Sequence, residues 1–284
     1  MKKLILAALL GAALTLTACG VDDTGAEPEP SEEESSEEIS DEGSEQELDF
    51  EIPTQSDEEI VAEAKEYADE ILSGDMTRAL PLPESAEEIP DDWEEYSLES
   101  GISFYAPAGL NAKEGGTLVS FRDTDEDTLP TVGITGGFEY DWSEESETYE
   151  EDDLYINAIF EAAGLSGTED EVLYQPLRDL GYDVDTRYGY TKALLTVTDE
   201  EMKSLGEDGE KSIRLANGLV YSPFGSDAYI FEKENSHVFI MGYGEGLWVD
   251  LLPSEDLVYS FVVKCEDKDT QMKIAASFDM KESS

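Results

Sequence analysis

The stretch ESGISFYAPAGL, residues 99–110, sets the reading of the fold. Residues 102–105 are strand-like in composition, and Pro107 and Gly109 turn the chain directly after them. Outward from this strand, similar runs rich in Val, Ile, Thr and aromatics are separated by polar loops. They are TLVSFRD (117–123), TVGITGGFEY (131–140), RYGYTKALLTV (187–197), KSIRLANGLVYS (211–222), DAYIFEKE (227–234) and HVFIMGYG (237–244), and each predicts a strand. SEDLVYSFVVKC (254–265) fits either a helix capped by Ser254 or a strand, and a helix passing into extended chain is the preferred reading.

Helices are signalled at fewer places. Residues 57–73 carry Ile60, Ala64, Tyr67, Ala68, Ile71 and Leu72 on one face, with a Ser56–Glu59 capping box before them and Gly74 after. Residues 152–163 have aspartates at the start and Gly164 at the end, and residues 199–205 have a Thr198–Glu201 capping box. Between the first helix and the first strand, LPLPESAEEIPDDW (80–93) predicts an extended, proline-rich connector. The sum is an α+β domain over 93–284, an antiparallel sheet with helices packed on it, preceded by a helix and connector over 57–92. No repeat of solenoid or propeller period is present.

The N-terminal region has a different character. Met1-Lys2-Lys3 is a positive head, and residues 4–16 form an apolar core, the first parts of a secretory signal. That core is short of the ~20 apolar residues a spanning helix needs. It ends in Leu16-Thr17-Ala18-Cys19, which resembles the lipobox of bacterial lipoproteins. The resemblance implies that residues 1–18 are removed and that Cys19 is diacylated on sulfur, giving a palmitate-type anchor. Two acyl chains hold a protein on a membrane where one is marginal, each buried methylene contributing ~0.8 kcal/mol. Residues 20–59 then contain 18 acidic side chains and no Lys or Arg. A segment with so little to bury predicts a disordered acidic tether, residues 19–56, extended by its own repulsion.

The chain carries 70 acidic and 17 basic side chains, formally −53. Without the signal's two lysines and the 18 acids of residues 20–59, 52 acids face 15 bases, so the folded part is strongly acidic too. Nucleic acid is therefore not an expected partner, because phosphate binding needs clustered Lys and Arg. Docking of the domain onto anionic lipid is disfavoured for the same reason.

Gly101, Ile102, Ser103, Phe104 and Pro107 together resemble the G-I-S-F-x-x-P phrase that opens PsbP-like domains. Ser260-Phe261 is matched to the Ser-Phe that ends their final helix. The resemblance covers residues 93–264 and implies an α/β/α sandwich with assembly or binding roles. It carries over no catalytic residue, and this sequence departs from it in its acidity and in the insertion-like EYDWSEESETYEEDD (139–153).

Candidate chemistry is sparse. His237 is the only histidine and lies at a strand start, where Phe239 and Met241 share its side and Val238 and Ile240 take the other. No Gly-x-Ser-x-Gly elbow accompanies it. Cys265 has no cysteine partner once Cys19 is lipidated, and reads as an idle thiol. Asp123, Asp125 and Asp127 have the alternate spacing of a calcium loop, but Thr128 and Ile134 stand where an EF-hand needs Gly and Glu. A solvated loop is the preferred reading, and no metal or cofactor is expected. GITGG and GYGEG lack the Lys-Ser/Thr of a phosphate-binding loop.

Together these readings predict a lipid-anchored, extracytoplasmic protein of non-catalytic binding or assembly type. Its partners are the membrane, through lipid on Cys19, and an unidentified protein or small ligand. A Gram-positive cell membrane suits the long tether. The alternative is a secreted carboxylate-dependent hydrolase assisted by calcium, and carboxylate pairs are too abundant here to single one out.

Overall fold

The computed structural model describes residues 56–115, 118–123, 131–141, 153–222, 224 and 227–281. The predicted signal, Cys19 and all but the last residue of the predicted tether lie outside the described residues. Helix α1, Asp57–Ser73, begins with the expected capping box: Glu59 N–H meets the Ser56 hydroxyl and Ser56 N–H meets the Glu59 carboxylate. A short strand β1, Arg78–Leu80, follows, and then a 3₁₀ turn, Glu84–Glu87, inside the proline-rich connector. Strands β2, Trp93–Ser97, and β3, Ile102–Pro107, form a hairpin. Strands β4, Asn111–Gly115, β5, Leu118–Arg122, and β6, Val132–Asp141, form a meander.

Helices occupy the middle of the chain: α2, Asp153–Ala162; a π-turn, Asp170–Tyr174, running into α3, Gln175–Asp179; α4, Arg187–Thr196; α5, Asp199–Ser204; and α6, Gly206–Tyr221. A second meander then runs through β7, Asp227–Glu232, β8, His237–Tyr243, β9, Gly246–Leu252, and β10, Leu257–Cys265. Helix α7, Lys268–Ser277, and β11, Asp279–Met280, end the described chain.

The two meanders join side by side into one eight-stranded sheet, ordered β1-β7-β8-β9-β10-β6-β5-β4. Every pairing in it is antiparallel except β1 with β7. A second sheet of three strands, β11-β3-β2, is also antiparallel. The fold is therefore α+β, as the sequence predicts, with seven α-helices among the described residues.

Alternation along the strands sorts side chains to two cores. Phe239, Met241, Trp248, Leu252, Val258 and Val262 meet the helical layer, where Ala64, Ala68, Leu194, Ile213 and Ala216 are buried. Val238, Ile240, Val249, Leu251, Phe261 and Val263 face the other way, toward α7 and the small sheet, with Ile102, Phe104, Ile274 and Phe278. Because α1 contributes Ala64, Ala68 and Ile71 to the first core and β1 pairs in the main sheet, residues 57–92 pack with the rest. Where the meanders meet, Phe261 pairs with Gly136 and Ser260 with Phe138, so Gly137 is the extra residue of a bulge. Its φ of +96° is a conformation glycine adopts without strain.

Three predicted elements are corrected. Residues 187–197 and 211–222, read as strands, belong to α4 and α6. The tyrosines and threonines of α4 suggest a strand by propensity. However, the Thr186 hydroxyl accepts from Gly189 N–H as a helix cap, and burial of Tyr190, Ala193 and Leu194 follows the helical period. In α6 the buried Ile213, Ala216 and Val220 carry the same period, masked in sequence by Gly209 and Gly218. Conversely, residues 254–265 hold no helix: β10 is covered on both faces, so it reads as a continuous apolar run. Ser254 caps a turn instead, accepting from Leu257 N–H. The Ser260-Phe261 match fails with it, since both residues lie in a strand; the Ser-Phe pair ending the last helix is Ser277-Phe278. Strand β9 occupies a stretch to which the sequence reading assigns no element.

Gly218 brings α6 against α1: a Cβ built there lies 2.3 Å from Ile71 Cγ2. Alanine ordinarily favours a helix interior over glycine by about 1 kcal/mol, but here overpacking costs about 1–3 kcal/mol. Gly218→Ala is therefore expected to be destabilising in chemical unfolding, and combined with Ile71→Ala, which removes both clashing γ-carbons, it should cost less than the sum of the two single changes.

Candidate functional site

A cleft of 490 Å³ opens on the side of the small sheet. Four separate parts of the chain build it: the connector, the β2–β3 hairpin, the end of β7 and the α7–β11 corner. Leu82, Ile89, Tyr105, Phe231 and Met280 supply apolar walls, and Tyr105 is one of three large hydrophobic residues that stay exposed among the described residues. The corner is fixed by Ser277, whose hydroxyl accepts from Tyr105 N–H at 2.8 Å and donates to Ile274 C=O at 2.7 Å. A volume in this range is typical of small-ligand sites, and here polar and charged groups share the lining with these apolar ones.

The polar groups of the cleft are unequally engaged. Lys281 pairs with Glu95 at 3.1 Å and donates to the Ser97 hydroxyl at 2.7 Å. Asp279 accepts from the Ser236 hydroxyl at 2.8 Å. Glu232 turns outward to Tyr188 at 2.6 Å and Lys192 at 3.3 Å. Lys233 is half-buried, its ammonium 5.9 Å from the centre of the Phe231 ring, a cation–π position. Among the described residues its Nζ has no ion pair or hydrogen bond. Burial pushes its pKa below the usual lysine value, against the opposing pull of Asp279 and Glu87.

A second cluster lies sealed beneath the helical layer. Asp250 of β9 is 4% exposed, and its Oδ1 accepts from Trp248 Nε1 and Ser260 Oγ, both at 2.6 Å. Burial raises its pKa, while Arg187 and the two hydrogen bonds pull it back down. Arg187, itself buried at the start of α4, links this carboxylate electrostatically to Tyr174, Tyr190 and Tyr221. This network joins sheet to helices, and the open cleft lies on the opposite face of the sheet.

His237 begins β8 as predicted, with Phe239 and Met241 on its side of the sheet. Its ring stacks on Tyr188, centroids 3.7 Å apart, and its buried Nδ1 has no hydrogen-bond partner among the described residues. Burial lowers its pKa, outweighing Glu232 and Glu255, which favour the cation. A histidine whose folded pKa is depressed contributes stability that is present above its unfolded pKa of about 6.5 and is lost as pH falls through the folded value. His237→Phe should thus lose less stability than the parent between pH 7.5 and 5.5, measured as melting midpoints at fixed ionic strength.

The sequence-predicted residues are not gathered into one site. Asp123 closes the loop before β6, its carboxylate accepting from Thr131 N–H at 3.0 Å and from the Thr131 hydroxyl. Asp125 and Asp127 lie outside the described residues. Among the described residues no group of three or more His, Cys, Asp or Glu is placed to hold a metal. Cys265 is a half-buried free thiol at the end of β10, its pKa raised by burial. Sequence reasoning missed the cleft residues because their lining comes from distant segments. Asp250 had a signal, as a lone acid within the apolar run GLWVDLL (246–252). No protein-family model matches this chain, and no curated protein matches it.

Proposed function

We propose that this chain is a lipid-anchored, extracytoplasmic binding protein, held by Cys19 at the cell membrane on an acidic tether, whose domain takes a ligand in the Lys233 cleft. The observation that carries the reading is the cleft itself: an open cavity of mixed polar and apolar lining, with an exposed tyrosine and a lysine ammonium that has no ion pair or hydrogen bond among the described residues. A PsbP-like α/β/α sandwich is the finer fold reading. Its support is that the Gly101–Pro107 phrase and Ser277-Phe278 meet, Phe104 stacking on Phe278 at 4.9 Å while β11 pairs with β3. Such domains serve binding and assembly.

Two experiments test it. In fractionated cells of the source organism, Cys19→Ser is expected to move the protein from the membrane pellet to the soluble or secreted fraction. Retention in the pellet removes the anchor. In ligand-observed NMR with a fragment mixture, the unlipidated full chain should attenuate signals that Tyr105→Arg leaves untouched. Equal behaviour of the two proteins removes the cleft as the binding site.

A further inference from the structure

The charges of the cleft narrow the ligand class, given the binding reading above. At physiological salt the Debye length is about 8 Å, so the cleft's own groups, more than the distant acids of the domain, decide which ion it accepts. Of its two lysines, Lys281 is held by Glu95 and Ser97. Of its four acids, Glu95 is taken by Lys281, Glu232 and Asp279 are engaged by Tyr188, Lys192 and Ser236, and Glu87 acts with Asp279 on Lys233 electrostatically. Lys233 alone of the two cations keeps three donors unused among the described residues, at a half-buried position beside Phe231.

We propose that Lys233 anchors a carboxylate whose apolar body lies against Tyr105, Phe231 and Met280: the cleft is a site for a small monocarboxylic acid. An incoming carboxylate supplies an acceptor in a charge-assisted hydrogen bond, and Tyr105, Phe231 and Met280 give an aliphatic or aromatic body apolar contact. Glu87 at the rim disfavours a second negative charge and so limits the ligand to a single acid group.

The test compares one tail with two heads. Decanoate and decylammonium are titrated at pH 7.5 and fixed ionic strength into the unlipidated full chain, with amide shifts around Tyr105 and Met280 as the readout. Decanoate is expected to bind the cleft at least about tenfold tighter than decylammonium, and Lys233→Met to remove that preference. Lys203→Met, an exposed lysine of α5 on the helical side of the sheet, should leave it unchanged, and unaltered melting of Lys233→Met shows that the domain is intact. Equal or tighter binding of decylammonium, a preference that survives Lys233→Met, or no shift with decanoate overturns the assignment. The fragment experiment with Tyr105→Arg reports separately on whether the cleft binds anything, so the two readings fail by different results.

Discussion

Asp250→Ala is expected to cost about 2–5 kcal/mol, since each buried donor left without its acceptor costs about 1–3 kcal/mol. The carboxylate is the common acceptor of Trp248 and Ser260 and feels the charge of Arg187. Alanine leaves these two buried donors without their acceptor and removes a negative charge that acts on the buried guanidinium. Asp250→Asn keeps an oxygen of similar shape for the two hydrogen bonds and removes only the charge, so it should fall between parent and alanine. Guanidinium unfolding followed by tryptophan fluorescence measures both, with Trp248 reporting directly on the lost contact. An alanine variant within 1 kcal/mol of the parent would show that the network contributes little net stability, as some buried ion pairs do.

The second large effect is expected at Phe104. Fully buried, it stacks on Phe278 at 4.9 Å and Tyr96 at 5.5 Å, and meets Phe121 edge-on at 5.0 Å. Phe104→Ala should cost about 3–5 kcal/mol through lost transfer and a cavity. Phe278→Ala should cost a similar amount, and the double variant less than the sum, because both substitutions empty one shared space. Hydrogen exchange gives an independent readout. Tyr105 N–H on the Ser277 hydroxyl and Lys281 N–H on Gly101 C=O should lose protection before the centre of the main sheet does. Uniform loss across both sheets, or additive energies, would mean that this aromatic lock is no separate unit. Since the same corner forms one wall of the cleft, a ligand held there should slow that exchange in the parent and not in Phe104→Ala.

Local physics was legible wherever one short segment settles its own structure. The capping boxes at Ser56 and Thr198 fix the starts of α1 and α5 through contacts three residues apart, and both form as the sequence predicts. Strand β8 sorts its side chains to two faces by alternation alone, placing His237 where the sequence puts it. Charge and apolar length, too, are properties of composition; they set the expectations of a lipid anchor and an acidic tether without reference to any fold.

Where burial is complete, composition lost its meaning. The Tyr- and Thr-rich α4 is a helix because its cap and its packing against α6 and β1 outweigh propensity of a few tenths of a kcal/mol per residue. Strand β10 looked helical because a strand buried on both faces shows no alternation. The cleft was illegible for a different reason, since residues 82, 105, 231, 233 and 280 become neighbours only after two meanders and a closing helix have assembled. Sequence by itself determined the α+β class, the starts of α1 and α5, and the acidity. Tertiary structure alone decided which side of the sheet is sealed over Asp250 and which is left open around Lys233, because only packing between distant segments determines which polar groups find partners.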